Sequence, residues 1–159
     1  MILAGKILLI GLLFYVFYED VKERKVTLLL LFTLFVLGGL LNSYHHILEL
    51  FLISTLINLS VISAIIFILF LYSKFKLKAP LFDVFGVGDL LFFVFMAISF
   101  PVSTFLVLFS VSLIFSFVIS IVFKEKLKNL IPLAGLQALF LGCVIGVNLL
   151  FTITNLYAF

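Results

Sequence analysis

The chain has 159 residues, of which 66% are hydrophobic and 11% charged, and its mean hydropathy is +1.49. Soluble domains carry about 25% charged residues, so this composition excludes a soluble enzyme or nucleic-acid-binding domain and defines an integral membrane protein, all-α and organised as one domain over residues 1–159. The formal net charge of +3 reads as a device of membrane orientation, with no nucleic-acid partner expected.

A spanning helix needs about 20 mostly apolar residues. The first such run is Ile2 to Tyr18, broken only by Lys6, which can snorkel to the interface. It has no small-residue cleavage site, and Asp20 and Arg24 follow directly, so it reads as a retained span rather than a signal peptide. The second run is Val26 to Leu41, and the third, Ile47 to Tyr72, is long enough to span with tilt. Residues Leu90 to Phe123 are too many for one helix, and Pro101 divides them. The spacing predicts a short fourth span from Gly88 to Phe100 and a fifth from Val102 to Phe123. The sixth runs from Pro132 to about Tyr157.

Six spans sort the polar loops. Lys22, Arg24 and Lys25 follow span one; Lys74, Lys76 and Lys78 follow span three; Lys124, Lys126 and Lys128 follow span five. The loop Asn42 to His46, the turn at Pro101 and the C-terminal stretch carry no Lys or Arg. All three basic loops therefore fall on one face, which the positive-inside rule makes cytoplasmic, and both termini are expected on the other side. Five or seven spans would scatter the basic loops over both faces. The lysine clusters are expected to contact anionic lipid.

Two acids stand at the cytoplasmic ends of spans: Asp20 after the first, Asp89 at the start of the fourth. An ionised Asp at a helix centre costs roughly 2.5–3.5 kcal/mol on insertion scales, which makes an acid at a membrane segment a functional candidate. The two are distant in sequence but equal in depth, so bundle packing can bring them together. Two adjacent carboxylates share one proton. The ionised partner can then take a proton from water while the protonated one serves a scissile carbonyl. The alternative is a pair of solvated interfacial acids matched to nearby Lys or Arg. It weighs more for Asp20, beside Lys22, Arg24 and Lys25, than for Asp89, which follows glycines.

The run Gly86-Val87-Gly88-Asp89 resembles the GxGD motif of the type IV prepilin and preflagellin peptidases, six-span membrane aspartic proteases. Asp20-Val21-Lys22-Glu23-Arg24-Lys25-Val26-Thr27 is similar to the family's first-aspartate motif, D-x-x-x-R-x-[IV]-P, with Thr27 in place of the proline. Asp83 stands where many members carry an acid, and the run from Lys128 to Gly135 resembles the basic-then-proline approach to the last helix. The resemblance implies a membrane aspartic endopeptidase of the inner or cytoplasmic membrane, active at its cytoplasmic side. It would cleave the leader of prepilin-like membrane protein substrates with Asp20 and Asp89 as catalytic residues. Gly86, Gly88 and Arg24 would support the site and Asp83 would touch substrate. Leu91 stands where members often have lysine, which puts a contact to substrate carboxylate in doubt but not the dyad. The two CxxC pairs of larger members are absent, so N-methyltransferase activity stays open; Cys143 is the only cysteine. Presenilin-type proteases share GxGD but have more spans and a different first motif. No cofactor is expected.

The remaining polar residues have plainer readings. Arg24 also reads as a positive-inside anchor, and Asp83 as a solvated loop acid. His45 and His46 have only Glu49 nearby, and a zinc site needs three or four ligands, so they read as an interfacial loop and no metal is expected. Ser110, Ser112 and Ser116 read as helix-packing residues, and Pro132 and Gly135 as shaping the start of span six. The competing class is a non-catalytic bundle: an assembly factor or a small ion-coupled carrier. A carrier should hold ionisable groups near the midplane, and these spans have almost none between their ends.

Overall fold

The computed structural model describes residues 2–78, 85–122, 132–151 and 156–157. Among these are six α-helices: α1 (Ile2–Glu23), α2 (Leu28–His45), α3 (Leu48–Tyr72), α4 (Val87–Ser99), α5 (Val102–Val122) and α6 (Leu133–Phe151). A short π-helical turn, Ser73–Leu77, prolongs α3. All helices but α4 are long and apolar enough to cross a membrane. Helix α4 has 13 residues; at about 1.5 Å per residue it rises about 20 Å, short of the about 30 Å hydrocarbon core. The chain is an all-α polytopic membrane protein.

The distribution of side chains follows from the solvent. Lipid is as apolar as leucine, so the exterior need not be polar and the interior can hold hydrogen-bonding groups. Leu29 is 74% and Leu150 78% exposed, whereas Asn42, Asn58 and Gln137 are 0% exposed. In a soluble protein this partition would be reversed. The serines of α5 obey the same logic, with one correction to the sequence reading. Ser112, Ser116 and Ser120 form the buried stripe, each donating to a backbone carbonyl three or four residues earlier, while Ser110 is exposed on the outer side.

The five long helices close a ring, α1 to α2 to α3 to α5 to α6 and back to α1, and α4 lies within it against α2, α3, α5 and α6. Its Phe92, Phe95, Met96 and Ala97 are fully buried. Phe93 meets Phe109 of α5 edge to face, with centroids 5.0 Å apart. Helix α2 approaches α4 closely at Gly38, where an added Cβ would overlap Ser99 Oγ and lie 2.8 Å from Phe95 Cε2. Small residues at such crossings let backbones meet.

A helix ending inside a membrane leaves carbonyls that water cannot reach. Pro101 has no N–H, so Ala97 O lacks its partner four residues on. Asn58 of α3 replaces it, donating from Nδ2 to Ala97 O and to Phe100 O at 2.9 Å each. Asn42 of α2 donates to Ile98 O at 2.9 Å. Asn42 therefore does not begin a loop, as the sequence suggested. Helix α2 continues to His45: the C-terminal end of α4 offers Asn42 a buried partner, and Ser43 and His45 contact the carbonyls of Leu40 and Leu41 within α2 itself. Of the sixth span, α6 is described as far as Phe151, residues 152–155 lie outside the described residues, and Leu156 and Tyr157 form a turn. Tyr157 stacks on His45 at 4.5 Å and lies under the Lys6 ammonium at 5.3 Å.

Candidate functional site

At the opposite end of the bundle, three helix ends converge. Helix α1 is five residues longer than its apolar run, so Asp20 lies within its last turn rather than beyond it. Arg24 then turns the chain with a left-handed φ of 56°, a conformation that costs a non-glycine residue about 1 kcal/mol. Its amide donates to Asp20 O at 3.1 Å. Glu19 binds Thr27 through both oxygens, receiving the amide at 2.8 Å and the hydroxyl at 2.5 Å. A proline at position 27 could not supply that amide. Thr27 thus pins the segment between α1 and α2.

Asp89 sits in the first turn of α4, where the helix dipole favours a carboxylate. Gly86 precedes the helix, and a Cβ there would lie 3.0 Å from Asp89 Oδ2. Gly88 is different: a Cβ would only touch Val26, at 3.8 Å. Packing therefore asks for glycine at 86 and tolerates more at 88.

The third component is the start of α6, whose first amides have no partner within the helix. Ala134 N–H donates to Asp89 Oδ1 at 2.7 Å, and Gly135 N–H donates to Asp20 Oδ2 at 2.7 Å. Adjacent amides of one turn thus hold the two carboxylates beside each other, and the two acids interact electrostatically. Gly135 has no room for a side chain, since a Cβ would lie 2.9 Å from both Asp20 Cβ and Oδ2.

The acids open onto a cleft of about 320 Å³ lined by Asp20, Arg24, Lys25, Val26, Leu28, Gly86, Val87, Gly88, Asp89 and Ala134. Of the residues singled out in the sequence, Asp20, Asp89, Gly86, Gly88 and Arg24 are brought together here; Asp83 lies outside the described residues. His45 and His46 lie at the other end of α2. There His45 Nδ1 contacts Leu41 O at 2.7 Å, and partial burial, with the neighbouring His45, lowers the basicity of His46. The amides of Ala134 and Gly135 were missed as functional groups. The signal was present in two small residues two and three positions after Pro132, at a helix start.

Comparison with family models, with curated proteins and with solved structures gave no match.

Proposed function

We propose that this chain is a membrane aspartic endopeptidase that removes the leader of type IV prepilin-like precursors at the cytoplasmic face. The observation that carries the reading is the meeting of Asp20 and Asp89, 69 positions apart, on adjacent amides of α6 beside an open cleft. Lys22, Arg24 and Lys25 lie at this end of α1, and Lys74 and Lys76 at the matching end of α3. The positive-inside rule gives that end to the cytosol.

In the proposed reaction a water molecule sits between the carboxylates. The ionised one removes its proton, the oxygen adds to the scissile carbonyl carbon, and the protonated one donates to the carbonyl oxygen. Collapse of the tetrahedral diol, with a proton passed to the amide nitrogen, breaks the C–N bond. The glycine-flanked cleft suits an extended substrate backbone, because no side chain at 86 or 88 stands in its way. The test is cleavage of a prepilin-like substrate by the purified protein, with Asp20→Asn and Asp89→Asn. Each variant should lose cleavage; unchanged cleavage in either removes the dyad.

One observation favours a second reading. Both carboxylates already satisfy orphan amides of α6, which gives each a structural role without chemistry. A non-catalytic bundle would show no cleavage by the wild type, and both asparagine variants, still able to accept these bonds, would fold as it does.

A further inference from the structure

Helices α1 and α4 carry the two acids but share little direct packing, whereas each packs against α6 and α1 does so extensively. The relative placement of the carboxylates is therefore not set by contact between their own helices. An aspartate's terminal torsion is broad and two-fold, so packing of the backbone alone does not orient the oxygens. Productive geometry demands tolerances of about 0.5 Å and 10–20°. Among the described residues, one turn of helix donates to both acids.

We infer that the first turn of α6 is the positioning element of the dyad. Ala134 N–H holds Asp89 Oδ1 and Gly135 N–H holds Asp20 Oδ2, while the Gly86 backbone is a further partner of Asp89 alone. This rests on the peptidase reading and adds to it two groups that neither motif contains. Gly135 belongs to the element because a methyl group would push directly on Asp20. Ala134 and Gly135 are positioning residues; they act on substrate through the acids.

Substitution at 134 separates the amide from the side chain. Ala134→Pro removes the N–H and sets the ring Cδ in its place, facing Asp89 Oδ1, at a position in the first helical turn where proline is tolerated. Ala134→Gly keeps the N–H and loses the methyl. In full-length protein acting on a prepilin-like substrate, kcat of Ala134→Pro should fall roughly ten- to a hundred-fold below that of Ala134→Gly, the range for losing one hydrogen bond to a charged group. KM should stay within about twofold, because the lost interaction orients the acids rather than binding substrate. Equal kcat in the two variants overturns the proposal.

A second measurement is independent of catalysis. In ¹⁵N-labelled protein, the Ala134 amide should respond chiefly to Asp89→Asn and the Gly135 amide chiefly to Asp20→Asn. If the wild type cleaves nothing, the peptidase reading fails, while this crossed response would still uphold the positioning role. Amides indifferent to both substitutions overturn it whatever the activity.

Discussion

Replacing Asn58 with leucine removes the cap from the buried end of α4 and keeps the branched outline of the side chain, with methyl groups bulkier than the amide they replace. Two hydrogen bonds vanish, those to Ala97 O and Phe100 O. The Ala97 carbonyl cannot turn to the next helix, because Pro101 offers no donor. Interhelical hydrogen bonds in membranes are worth about 0.6 kcal/mol on average and about 1.7 at most, so two would contribute roughly 1–3 kcal/mol. Asn58 Oδ1 is buried without a partner among the described residues, and leucine removes that burden. The expected destabilisation is therefore in the lower half, about 1–2 kcal/mol. Asn42→Leu removes one bond, to Ile98 O, and should cost about half as much. The two residues serve one helix end, so the double variant should not equal the sum. Reversible unfolding of the purified protein in mixed micelles reads all three. If Asn58→Leu is as stable as the wild type, the carbonyls have other partners and the account of α4 is wrong.

Other outcomes follow from the same structure. Gly38→Ala places a methyl group against Ser99 and Phe95; it should lower stability by about 1–3 kcal/mol, as overpacking does, while Gly11→Ala, with open space around its Cβ, should cost far less in the same assay. Burial pushes the Tyr157 hydroxyl from 10.0 up to about 12. The folded state thus holds its proton longer than the unfolded one, so this stability is complete below pH 10 and declines between 10 and 12. Melting temperatures at pH 8 and pH 11 should show a drop that Tyr157→Phe reduces; an equal drop in both proteins would refute the assignment. If the dyad is catalytic, cleavage should follow a bell-shaped pH profile whose two limbs belong to the pair, and either asparagine variant should abolish it.

Hydropathy is a local property, and what depends on it was legible along the chain. Six apolar runs, the break at Pro101 and the shortness of the fourth helix each come from consecutive residues. So does the candidacy of Asp20 and Asp89, since a carboxylate beside an apolar run stands out in any reading. Boundaries were less legible. Helix α1 runs on to Glu23 and α2 to His45, where polar side chains find partners that hydropathy does not see. Ser110 and Ser112 look alike in sequence, yet only one faces the protein, because the direction of the buried stripe depends on which neighbours α5 meets.

The chain by itself determined that this protein lives in lipid, that its six apolar runs form helices and which two acids stand beside them, because each follows from transfer of neighbouring side chains and amides out of water. Tertiary structure alone decided that Asn42 and Asn58 cap α4 and that the amides of Ala134 and Gly135 hold the two acids. Those are hydrogen bonds between residues 39 to 115 positions apart. A buried donor takes whichever acceptor the packing of distant helices brings within about 3 Å, and no local pattern specifies which.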